Sequence, residues 1–204
     1  MGFEASVNMG SSGALCEDLN NPCRESELRK MYDKLRLQML SKYIIEIKKK
    51  SKTDKTINEA KEKEKLKQMI QDVFTKAQHD MTKKKEDFMS FFHIDHKKEE
   101  SEKETKTRHM STKLQTKTLK YIELGLQHLQ MVIFHEESRY SKTMHKQLEN
   151  SDSDAQYALA DECYKIGCLM ALHNPPLLLD WKNIGPSDYL PPIKMEETSA
   201  NTAL

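Results

Sequence analysis

Residues that break a regular backbone are scarce in this chain, and their scarcity is uneven. Only six glycines and six prolines occur among 204 residues. No proline stands between Pro22 and Pro175, and no glycine between Gly13 and Gly125. Sandwiches, barrels and doubly wound sheets need turn residues every few positions, so this long uninterrupted stretch predicts helix. Cysteine is also sparse, with four residues in two close pairs, Cys16/Cys23 and Cys163/Cys168. Residues 1–14 show neither the basic start nor the apolar middle of a secretory leader, and no Asn-x-Ser/Thr sequon occurs. Reduced thiols in the nucleus, or alternatively the cytoplasm, are therefore expected. The longest apolar run, residues 166–172, is far shorter than the roughly 20 residues that cross a bilayer. Met1-Gly2-Phe3-Glu4-Ala5-Ser6 meets the loose acylation pattern. Bulky Phe3 and acidic Glu4 suit it poorly, and no basic cluster follows to supply a second membrane signal. No membrane association is expected.

Signatures of catalysis are missing as well. Glycine-rich phosphate loops, nucleophile elbows, and the HExxH and CxxC patterns are all absent. His93-Ile94-Asp95-His96 sets two imidazoles three residues apart, with His79 and His109 only as distant third ligands. Catalytic zinc wants three protein ligands in fixed geometry, so polar residues beside a charged stretch are the preferred reading. His128 and His135 lie seven apart, on one helix face, and read with His145 as histidines at a helix–helix seam. Cys163 and Cys168 diverge by roughly 140° on a helix, which suits core-filling thiols better than a metal. Neither an enzyme nor a cofactor is predicted.

Charge and helical periodicity are abundant. Charged residues make up 32% of the chain against 37% hydrophobic, a lean core. The sequence predicts an all-α protein: a long amphipathic helix pair, a compact multi-helix module, and disordered termini. Residues 1–25 lack periodicity and read as a disordered lead-in. The helix pair spans 26–96, with Ser26 as a candidate cap. Its first stripe is Leu28, Tyr32, Leu35, Met39, Tyr43 and Ile47, at steps of three or four. A capping box at Thr56-Ile57-Asn58-Glu59 opens the second helix, whose face is Leu66, Met69, Ile70, Val73, Phe74, Ala77 and Met81. Residues 97–107 hold nothing apolar and read as a charged linker. The compact module spans 108–181. Its helix around 114–133 is apolar on several sides and is expected to be central. Tyr140, Met144 and Leu148 mark a short helix, residues 155–173 another, and Leu177–Trp181 an apolar anchor packing back on the helices. Residues 182–204 read as a proline-containing flexible tail.

Charge divides the chain more sharply. Residues 42–120 carry 22 Lys/Arg against 14 Asp/Glu, whereas residues 121–204 carry 6 against 12. Lys48, Lys49, Lys50, Lys52, Lys83, Lys84 and Lys85 form candidate nucleic-acid or nuclear-import patches. Arg108 is the only arginine between Arg36 and Arg139, and lysine reads bases less well than arginine. The favoured expectation is protein–protein contact or self-association through a seam of Leu28, Tyr32, Leu35, Met39, Tyr43, Ile47, Met69, Val73 and Phe74. A lean chain is not expected to cover both stripes by itself, so docking would be coiled-coil-like or helix-in-groove. Leu35, Met39, Val73 and Phe74 would be its anchors.

Three short motifs carry a family resemblance. They are Lys117-x-x-Lys120-Tyr121-Ile122-Glu123-x-x-Leu126, Glu137-Ser138 with Tyr140, and Ala160-x-x-Cys163-Tyr164-Lys165. Through them, residues 117–173 resemble the C-terminal homology domain of the lilliputian-like (ALF) family of transcription-elongation scaffolds. The resemblance implies an all-helical, repeat-like domain that dimerises and serves a nuclear assembly concerned with transcription regulation, without catalysis.

Overall fold

A computed structural model of the chain describes residues 21–91, 107–135, 154–185 and 188–195, with the backbone alone for 107–116 and 195. Among the described residues the architecture is all-α apart from one small ribbon. Helix α1 (Glu25–Lys34) passes through a π turn (Leu35–Leu40) into α2 (Ser41–Thr53), giving one continuous rod. Then come α3 (Glu59–Phe91), α4 (Thr107–His135) and α5 (Asp154–Leu172). The short strands β1 (Leu177–Leu179) and β2 (Ile193–Met195) pair antiparallel, Leu177 opposite Met195 and Leu179 opposite Ile193.

The π turn alters which residues of the first rod face inward. Its wider loop admits one extra residue, so Leu40 follows Leu35 into the core and Met39 is left half-buried. The helix starts differ from expectation too. Arg24 occupies the cap position of α1, and its guanidinium donates to Ser26 Oγ and Glu27. Ahead of α3, Asn58 rather than Thr56 is the cap, accepting from the Ala60 and Lys61 amides at 3.0 and 3.2 Å. Thr56 instead bonds Asp54.

One apolar core joins both halves of the chain, so the pair 26–96 and the module 108–181 are not separate bodies. Its centre is α5, not the expected helix around 114–133. From Leu159 to Leu172 nearly every α5 residue is buried, which a single-faced helix does not permit. α5 runs alongside α3 in the same direction, pairing Gln156 with Met69 and Tyr164 with Asp80. Gly167 allows the close approach: a Cβ there would lie 2.8 Å from Ala77 Cβ and 3.1 Å from the Phe74 ring. On its other side α4 lies antiparallel, Gln130 Nε2 donating to Leu169 O at 2.8 Å and Lys165 resting over the Phe134 ring. Lys85 donates to Ala171 O, placing a cation at the negative end of α5.

Two stretches read as flexible belong to this core where they are described. Cys23, in the lead-in, is fully buried and its Sγ approaches Gln130 O. In the tail, Leu190 and Pro191 are buried and Pro191 O accepts the Tyr32 hydroxyl at 2.6 Å. The apolar anchor packs back as expected, with Leu177 buried and Trp181 against the core. Thr107, expected at the end of the charged linker 97–107, opens α4; the rest of that linker, His93, His96, and the predicted helix through Tyr140, Met144 and Leu148 lie outside the described residues.

Candidate functional site

The expected seam is interior. Leu28, Tyr32, Leu35, Ile47, Val73 and Phe74 are buried, and Met39, Tyr43 and Met69 pack against the same core. The physical reason is the wide apolar surface of α5, which covers the stripes of both the first rod and α3. Tyr32 and Phe74 meet edge-to-face at 6.1 Å. The Tyr43 hydroxyl donates to Gln156 Oε1 at 2.8 Å, and Gln156 Nε2 approaches Met69 Sδ at 3.4 Å. As placed here, these nine residues hold the chain together.

Exposed apolar side chains occur singly on the first rod (Leu37, Ile45) and at the end of α3 (Phe88, Phe91), and form a continuous face on α4. Ile122, Gln130 and Ile133 turn inward, and helical spacing sends the opposite face outward. Tyr121 is 71% exposed, Leu124 49% and Val132 52%. His128 and His135 are exposed on the same face rather than enclosed in a seam, His135 edge-on to Phe134. From Leu124 to His135 no Asp, Glu, Lys or Arg occurs. An uncharged, half-apolar face is unusual on a solvated helix and typical of the middle of an interface. Next to it, Phe88 of α3 fits against Gly125, where a Cβ would come within 3.1 Å of the ring. The missing charge between 124 and 135 was a readable sign of this face.

The lysine patches do not merge. Lys48, Lys49, Lys50 and Lys52 are exposed at the end of α2, and Lys83 and Lys84 are exposed far along α3. The first group lies near the start of α3, where Lys48 and Lys52 act on Glu59. The second sits about 24 residues farther on, roughly 36 Å at the helical rise. Lys85 leaves the patch for Ala171 O. Lys48 also borders an open cleft of about 490 Å³ with Ile44, Lys63, Glu64, Lys67, Asp188 and Tyr189, where two carboxylates offset part of the lysine charge.

Cys23, Cys163 and Cys168 are free and buried. Burial pushes the Cys23 thiol up to about 11, Lys165 opposing, and the Cys168 thiol up to about 12. Such thiols are core fillers and poor nucleophiles. Among the described residues no three His, Cys, Asp or Glu side chains gather as a metal site, and no helix is long and apolar enough to cross a membrane. The chain matches no family model, no curated protein and no solved structure.

Proposed function

We propose that the protein is a non-enzymatic helical interaction module and that its docking face is the outward side of α4. The observation that carries this reading is the uncharged stretch 124–135 with Tyr121, Leu124 and Val132 exposed along it. A partner helix, or α4 of a second copy, can cover such a face only with an uncharged seam, because a buried unpaired charge costs several kcal/mol (about 3–5). The role in a nuclear assembly concerned with transcription rests on the sequence resemblance of residues 117–173. The test is the full chain carrying Leu124→Lys with Val132→Lys. Unchanged helix content with lost self-association or lost partner capture supports the face; retained association of the double variant in light scattering refutes it.

A second reading is a basic nucleic-acid-binding protein, favoured by four exposed lysines at the end of α2. Phosphate binding falls steeply between about 50 and 200 mM salt. Apolar docking is nearly insensitive over that range, so a salt titration separates the two.

A further inference from the structure

The outward stripe of α4 has the same spacing read from either end. Counting from His128, Leu124 and Val132 stand four residues to either side, and Tyr121 and His135 seven. Steps of four and seven turn a helix by roughly +40° and −20°, so all five residues share an arc of about 80°. That arc points away from Ile122, Gln130 and Ile133, which face the core, and each of the five is exposed. Phe88, 43% exposed beside Gly125, adds apolar surface along one border of the stripe. Charge follows the same plan. No Asp, Glu, Lys or Arg occurs from Leu124 to His135, the exposed Lys117 and Lys120 precede that run, and Glu136 and Glu137 follow it in the sequence.

We infer that the occupant of this face is a second copy of the chain, seated antiparallel on a two-fold axis that passes between the two His128 side chains. The inference rests on the reading of α4 as the docking face and names its partner. A two-fold contact presents one patch to itself. With His128 at the axis, Leu124 meets Val132 of the second copy, Tyr121 meets His135, and His128 meets His128. Each pairing is chemically matched. Aliphatic packs on aliphatic in the two layers beside the axis; elsewhere a phenol O–H or an imidazole N–H donates to an unprotonated ring nitrogen. The uncharged middle leaves no ion buried without a partner. Direction follows from the ends of the run. Antiparallel copies bring the lysine end of one α4 to the glutamate side of the other, whereas parallel copies set Lys117 and Lys120 against their own counterparts, where like charges repel. Register follows as well, because a slip of seven residues that sets Lys117 opposite Val132 puts an ammonium on an apolar layer.

Light scattering on the unaltered full chain should give twice the chain mass of 23.8 kDa. Thiol cross-linking then reads the register. Cys16 is replaced by Ser throughout so that the introduced thiols are the accessible ones, Cys23, Cys163 and Cys168 being buried. His128→Cys should form a disulfide-linked dimer with oxidised glutathione. Leu124→Cys and Val132→Cys, mixed, should give the mixed disulfide in excess over either same-variant disulfide. In the antiparallel pair two copies of residue 124 lie about 12 Å apart along the axis, beyond the roughly 7 Å between Cα atoms that a disulfide spans. Ready linkage of Leu124→Cys to itself means parallel copies and overturns the inference, as does a dimer that His128→Cys fails to link. A monomer in light scattering overturns the self-pairing but leaves the docking face standing; the face falls only if Leu124→Lys with Val132→Lys leaves partner capture intact. All the substitutions at 124, 128 and 132 are at exposed positions, and parental helix content by circular dichroism confirms that each variant is folded.

Discussion

The hydroxyl of Tyr164, on α5, donates to Asp80 Oδ2 on α3 at 2.7 Å, and Lys76 lies 3.3 Å from the same oxygen. Burial alone would raise the Asp80 carboxyl. Hydrogen bonds from Tyr164 and Lys76, with the charges of Lys76 and His79, outweigh it and hold the carboxyl below its ordinary value. Burial, and then the bond to Asp80, push the Tyr164 phenol far upward. A carboxylate depressed on folding contributes stability above its unfolded value near 3.9, and that contribution fades as pH falls through the folded value. Tyr164→Phe should therefore cost about 1–2 kcal/mol at neutral pH and less below about pH 4. Urea midpoints at pH 7 and pH 3 measure it. An equal penalty at both would mean that Tyr164 does not serve the Asp80 charge.

The π turn makes an unusual claim about neighbours. Leu40→Ala should cost about 2–5 kcal/mol, as for a buried leucine, whereas Leu37→Ala on the exposed side should stay within about 0.5 kcal/mol. An uninterrupted α-helix would put Met39 inside in place of Leu40. A Met39→Ala variant less stable than Leu40→Ala would restore that simpler register.

Gly167→Ala sets two opposed effects against each other. Alanine improves helix propensity by about 1 kcal/mol, but its methyl meets Ala77 Cβ at 2.8 Å. Overpacking of this kind costs about 1–3 kcal/mol, so net destabilisation is expected in thermal unfolding. Unchanged stability would mean that α3 and α5 can separate without loss.

Iodoacetamide at pH 8 should leave Cys23, Cys163 and Cys168 unmodified in the native chain and alkylate all three in urea, as read by mass spectrometry. Their neutral forms are favoured by folding, so this part of the stability is complete below about 8.5, the unfolded thiol value. It declines as pH rises toward about 11 for Cys23 and about 12 for Cys168. Native labelling of Cys23 would show that the N-terminal segment detaches from Gln130.

The helices were legible because periodicity is a local property. Leu66, Ile70, Val73, Phe74, Ala77 and Met81 follow one face without interruption, and all six are buried. Leu40 was not legible, since nothing in Leu-Arg-Leu-Gln-Met-Leu announces an extra residue in the turn. Periodicity also cannot say whether a stripe meets its own chain or another. Here the apolar residues 166–172, reaching round the last two turns of α5, held the answer: turns with no polar side must be enclosed, and enclosing them consumes the stripes of α1–α3. Contacts such as Tyr32 to Pro191 and Lys85 to Ala171 join residues far apart in sequence and follow only from the finished packing.

Placing the enclosed helix late in the chain has a cost during synthesis. As the polypeptide leaves the ribosome, Leu28 to Met81 emerge well before α5, the helix that shelters them. Greasy surface on the nascent chain stays uncovered until the residues of α5 have followed, a window in which chaperones would find a client and neighbouring nascent chains a hazard.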